Sequence, residues 1–150
     1  MKFTKGAIEV FVENEAGSDQ KNCFDEQTLE YIKTVTVSRK YPYPYGFLPQ
    51  TTSGDGDNLD CFIITKRVLK SQEEVTVEPV GLMEQFEDGV ADPKLLTIFP
   101  DEGLAITQET RVELTDFVVH AFDHKRTKEI RVGGFYGKKE AEELIKDSLL

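Results

Sequence analysis

Asp55, Asp57 and Asp60 fall within six residues, "DGDNLD", directly before the apolar run "CFIIT". Carboxylates this close repel one another, and a proton or a bound cation relieves the repulsion. Oxygen-only ligands select hard cations, and Mg²⁺ typically takes one or two carboxylates, several waters and substrate phosphate oxygens at about 2.0–2.1 Å. The cluster therefore points to phosphate chemistry. A second acidic turn, "EQFEDGVADPK", carries Glu84, Glu87, Asp88 and Asp92 with Lys94 just beyond. It too sits between predicted strands, so the two clusters are expected to meet at one mouth of a barrel. An EF-hand loop fits poorly: it needs a bidentate Glu at its twelfth position, between helices. Counted from Asp55, that residue is Lys66, and a strand pattern follows Asp60. On its own the stretch fits a hairpin turn equally well, because Asp-Gly and Asp-Asn are ordinary turn formers.

The elements that must carry these residues are mostly strands. Period-two patterns run from Ala7 to Glu13, Tyr31 to Ser38, Cys61 to Thr65, Val75 to Met83 and Lys94 to Phe99. Turn-rich pieces such as "NEAGSD", "YPYPYG", "TTSGDGDN" and "EDGVADP" separate them. Short strands at this spacing predict a small closed barrel, which leaves no sheet edge exposed. The period changes at Leu114, Phe117, Val118, Ala121 and Phe122, the stripe of an amphipathic helix. A second helix is predicted over "GKKEAEELIKDSLL", which is rich in helix formers.

Composition narrows the function. The 150 residues fit one domain with a real core, and 39% hydrophobic residues with ten Phe place the chain in the globular class. Eighteen basic residues against 28 acidic ones give a net charge of -10, a field that repels nucleic acid and anionic membrane. An anionic substrate must then be received by local cations or by metal. No apolar stretch approaches the roughly 20 residues of a membrane span, and the N-terminal stretch lacks the apolar core of a signal peptide. Cys23 and Cys61 have no metal-binding spacing. The default is a soluble, reduced, cytoplasmic protein.

Several ordered stretches together are similar to one family. "YPYPYGFLPQT" followed by "DGDNLD" resembles the signature of family I soluble inorganic pyrophosphatases, in which an aromatic-Pro-x-Asn-Tyr-Gly-Phe-Ile-Pro-like segment leads into Asp-Gly-Asp-Pro-x-Asp. "VFVENEAGSDQK", "VEPVGLMEQFEDGVADPK" and "HAFDHKR" resemble further motifs of that family in the same order. The resemblance implies a mainly β (α+β) domain over residues 1–150, a five-stranded OB-like closed barrel with flanking helices. It also implies hydrolysis of inorganic pyrophosphate to two phosphates with Mg²⁺ (Mn²⁺ or another divalent metal being possible), in a cytoplasmic homohexamer.

By the same resemblance, Asp55, Asp60 and Asp92 match ligands of the tighter metals, and Asp57 matches the carboxylate that deprotonates the attacking water. Glu13 matches an acidic residue at the rim of the site and is counted with the metal's acidic residues. Lys21, Lys94 and Tyr45 match phosphate-binding residues. Physically the division is reasonable, because metal lowers the pKa of a bound water and neutralises the leaving phosphate.

Other positions depart from the family. Cys23 stands where the family has a Glu, unless Asp25 substitutes for it. Lys33 replaces an arginine and loses its bidentate fork. Glu87 replaces an aspartate metal ligand. Lys125 and Arg126 stand where Tyr and Lys bind phosphate. Asn58 replaces the proline of the aspartate motif, and Pro44 an asparagine. These changes leave open a pyrophosphatase of altered metal demand, a silent phosphate- or metal-binding relative, or a hydrolase of another phosphoanhydride. Outside the resemblance, His120 and His124 read as surface or interface histidines, Cys61 as a core residue, and Tyr41, Tyr43 and Tyr45 as a poor nucleic-acid platform, for want of a basic groove.

Overall fold

The computed structural model describes residues 6–49, 51–52, 57–125 and 128–150. Its strands are β1 (Ile8–Asn14), β2 (Gln20–Phe24), β3 (Tyr31–Thr36), β4 (Tyr45–Leu48), β5 (Leu59–Ile63), β6 (Glu74–Glu87), β7 (Val90–Ala91), β8 (Lys94–Ile98) and β9 (Ile130–Tyr136). Two helices, α1 (Gln108–His120) and α2 (Lys138–Ser148), complete it. The pairing order β1-β4-β5-β8-β6 is closed by β6 returning to β1, so five strands form a ring. Only β5 and β8 run parallel in that ring.

The fold is the expected barrel, but its membership differs from the sequence reading. The strand predicted at Tyr31 to Ser38 forms as β3, yet it pairs only with β2 in a separate hairpin, and its residues are largely exposed. Its place in the ring is taken by β4, which begins inside the Pro-rich stretch read as a turn. Gly46 makes this possible: a Cβ there would stand 2.0 Å from the Phe11 carbonyl oxygen, so only glycine allows β1 and β4 to approach so closely.

Alternation along the strands divides the apolar residues between two faces. Ile8, Val10, Val12, Leu59, Cys61, Ile63, Val77 and Leu95 pack together with Ala141 and Ile145 of α2. Phe62, Ile64, Met83, Leu96 and Ile98 point the other way and pack on Leu114, Phe117, Val118 and Ala121 in and just after α1. Thr107 caps α1, its hydroxyl accepting from the Thr110 N–H at 3.1 Å. A third cluster, Phe11, Phe24 and Phe47, fastens the β2–β3 hairpin to the barrel. Among the described residues no helix is long and apolar enough to cross a membrane.

Candidate active site

The register of the parallel pair β5–β8 sets Asp60 beside Lys94. Both residues share the strand face that carries Phe62 and Leu96, which packs on α1. The acidic clusters therefore meet on the outer wall of the barrel, under the end of α1, rather than at a barrel mouth. There they border a cleft of about 230 Å³ lined by Asp57, Asp60, Glu87, Asp92, Lys21 and Lys94, with Tyr45 and Gln85 in its wall and Phe117, Val118 and Phe122 along its α1 side.

Lys94 organises the acids. Its ammonium donates to Asp60 Oδ2 at 2.7 Å and to Asp92 Oδ2 at 2.9 Å while only 5% of the residue is exposed. Burial alone would lower its pKa, but Asp60 and Asp92 outweigh burial and raise it, so the ammonium stays charged. Tyr45 lies beneath, with Lys94 Nζ 5.6 Å from its ring centroid. Burial first, and the field of Asp60 next, push its phenol well above the ordinary value, which keeps Tyr45 a hydroxyl donor.

The remaining candidates divide. Lys21, on β2, enters the cleft with its ammonium 5.6 Å from the Phe122 ring centroid. Asp57 is exposed at the cleft opening. Glu87 ends β6 and pairs with Lys128, Nζ to Oε1 at 2.7 Å. Glu13 is not at a rim: it is 9% exposed, and burial, followed by the charges of Asp60 and Glu26, pushes its pKa up to about 8. Lys33 stays exposed on β3 and does not line the cleft. Lys125 is exposed too and borders a neighbouring depression with His120, Phe122 and Lys128. Asp55 and Arg126 lie outside the described residues.

Asp25 does not stand in for the acid absent at Cys23. Its carboxylate accepts the backbone N–H groups of Gln27 and Thr28, both at 2.9 Å, closing its own turn, and those bonds, Thr28's foremost, hold its pKa down. The next residue, Glu26, reaches instead to the aspartate loop, accepting the Asn58 N–H at 2.7 Å. Sequence reasoning passed over Glu26, Gln85 and Lys128. Lys128 is brought to the acidic turn by the pairing of Ile130 with Glu87 at the start of β9, and no local pattern in the sequence marks it. His120 Nδ1–H donates to Asp123 Oδ2 at 2.8 Å and His124 Nδ1 shares a hydrogen bond with the Ser38 hydroxyl at 2.7 Å, both in exposed positions, in keeping with surface histidines.

The donor set suits a divalent metal: Asp57, Asp60, Glu87 and Asp92 supply only hard oxygens and share one cleft. Among the described residues no three acidic, His or Cys side chains are already gathered at metal distance, and the positive charge between Asp60 and Asp92 is the Lys94 ammonium.

A closed five-stranded barrel with two flanking helices is the fold that this chain shares with inorganic pyrophosphatases. The pyrophosphatase structure from Neisseria gonorrhoeae superposes with a TM-score of 0.86 at 27% identity, covering 95% of this chain and 89% of that one. The Thermus thermophilus structure, at 23% identity, shares the fold with a TM-score of 0.87 over 97% of this chain and 91% of its own. In sequence, the chain is 31% identical to soluble inorganic pyrophosphatase 2 of Chlamydomonas reinhardtii, over 92% of this chain and 72% of that protein. It is 28% identical to the inorganic pyrophosphatase of Nanoarchaeum equitans over 94% of both. The model of the inorganic pyrophosphatase family matches residues 10–150, and the chain belongs to that family.

Proposed function

We propose that the cleft hydrolyses inorganic pyrophosphate to two orthophosphates with Mg²⁺, or with Mn²⁺ in its place. The observation that carries the reading is Lys94, a buried ammonium held between Asp60 and Asp92 in a cleft that also receives Asp57, Glu87 and Lys21. Such a cleft offers oxygens to a cation and ammonium groups to a phosphate. The metal, when bound, supplies charge neutralisation and a more acidic water. Asp60, Asp92, Glu87 and Asp55 would hold it.

Asp57, at the cleft opening, takes the proton of the attacking water. Lys21 and Lys94 hold phosphate oxygens by charge-assisted hydrogen bonds, and Tyr45 donates its hydroxyl. Lys33, Lys125 and Arg126 would extend the phosphate shell, and Glu13, a buried acid near Asp60, would add a carboxylate to the metal's ligands on releasing its proton. The protein works in the cytoplasm as a homohexamer without nucleic acid or membrane partners.

Phosphate release from pyrophosphate with Mg²⁺, with Mn²⁺ and without metal, beside Asp57→Asn, tests this. Metal-dependent release that the variant loses supports it; no release with any metal overturns it. A second reading, a silent phosphate- or metal-binding relative, draws on the exposed Lys33, which leaves the cleft without a forked arginine. It predicts pyrophosphate binding without turnover.

A further inference from the structure

Gln85 and Glu87 are two apart on β6, and both line the cleft. Gln85 is only 6% exposed, yet its Oε1 accepts no hydrogen bond from any described residue. Its backbone carbonyl accepts the Asp92 N–H at 2.8 Å, so the β6–β7 hairpin holds Asp92 beside it. Part of the surrounding wall is apolar, formed by Phe62, Phe117 and Ile130. An amide oxygen buried there without a donor destabilises the free protein, and an apolar side chain of similar size would suit the wall better.

The chemistry of the missing partner is constrained. A carbonyl oxygen accepts a hydrogen or faces a positive charge, so the ionised oxygens of pyrophosphate cannot satisfy it. A divalent cation, or a water that the cation carries, can, and amide oxygens are ordinary ligands of hard cations. A neutral amide also adds a ligand without further negative charge in a cleft that already gathers Asp57, Asp60, Glu87 and Asp92.

We infer that Gln85 Oε1 joins Glu87 and Asp92 in a cation subsite on the β6–β7 hairpin, which makes Gln85 a further determinant of metal demand in this chain. The inference rests on the metal-dependent reading above. Calorimetric titration of Mn²⁺ into the chelator-treated full chain, without substrate, tests it with the wild type, Gln85→Met and Gln85→Glu. Gln85→Met is expected to weaken one class of Mn²⁺ binding by roughly tenfold or more, and Gln85→Glu, which keeps the oxygen, to retain it. In chelator, Gln85→Met should melt at or above the wild-type temperature, because the unpaired oxygen is gone. Unchanged Mn²⁺ binding in Gln85→Met, or loss in both variants with lowered melting, overturns the inference and makes the amide structural. A wild type that binds Mn²⁺ and releases phosphate while Gln85→Met binds Mn²⁺ identically overturns this inference alone; a wild type that binds no Mn²⁺ overturns the metal-dependent reading with it.

Discussion

The backbone N–H of Asn58 donates to Glu26 Oε1 at 2.7 Å, and the Asn58 side-chain amide reaches the Glu26 carbonyl at 3.5 Å. These bonds tie the turn between β2 and β3 to the segment carrying Asp57 and Asp60. A proline at 58, the residue of the resembled motif, has no N–H and cannot make the first bond. The bond thus fixes with a side chain what a proline ring fixes through its backbone angle. Glu26→Ala should lower kcat for pyrophosphate by about ten- to a hundredfold, since roughly 1 Å of misplacement carries a cost of that order. Glu26→Gln keeps an acceptor oxygen and should lose much less. Steady-state phosphate release separates the two variants, and equal rates in both would remove Glu26 from loop positioning.

Lys94 is the positive charge between Asp60 and Asp92. Removing one partner of a buried ion pair leaves uncompensated charge, which costs about 3–5 kcal/mol. Lys94→Met should therefore unfold at lower denaturant concentration in chelator. Millimolar Mg²⁺ should raise its midpoint more than it raises the wild type's, because the cation takes over the neutralising role. Phosphate release should fall whichever metal is present. Equal Mg²⁺ stabilisation of the two proteins would show that the metal does not sit among these carboxylates.

How much of this was visible in the residues depends on the distance over which each feature is decided. The helix stripe from Leu114 and the strand that begins at Lys94 follow from local periodicity, and both form. The gathering of Asp57, Asp60, Asp92 and Lys94 was legible through the motif resemblance. The outer-wall location was not, because it depends on the β5–β8 register, a pairing across more than thirty residues. β4 was hidden by the prolines that flank it, Pro44 and Pro49, and β9 by Gly133 and Gly134, which blunt its alternation. Gln85 looked like one polar position on an alternating strand; only its buried oxygen, without a donor among the described residues, distinguishes it.

Lys33 faces Cys23 across the hairpin and shares its strand face with Val35, the partner of Lys21. It is exposed, so its charge acts on phosphate through solvent. Lys33→Ala should raise KM for pyrophosphate a few-fold at low salt, with the difference shrinking as salt approaches about 0.5 M and screening shortens the range of the charge. Melting temperature should stay put. A large, salt-independent loss of kcat would place Lys33 in direct contact with the reacting phosphate.

Glu13 gives the metal-free protein a pH dependence of defined sign. Its pKa rises from 4.5 to about 8 on folding, chiefly through burial and then through the charges of Asp60 and Glu26. Between those values the folded state holds a proton that the unfolded state has released, so stability falls as pH rises through the window. At about 1.4 kcal/mol per pKa unit the full effect is on the order of a few kcal/mol. Glu13→Gln, an amide that mimics the protonated acid, should flatten the profile between pH 5 and 8 and be the more stable protein at pH 8. Saturating Mg²⁺ should flatten the wild-type profile as well, because a cation beside Asp60 offsets the negative field that, after burial, raises this pKa. Denaturant titrations at pH 5, 6.5 and 8, with chelator and with Mg²⁺, measure both effects. A wild-type stability that climbs from pH 5 to pH 8 in chelator would mean that Glu13 is charged in the folded protein.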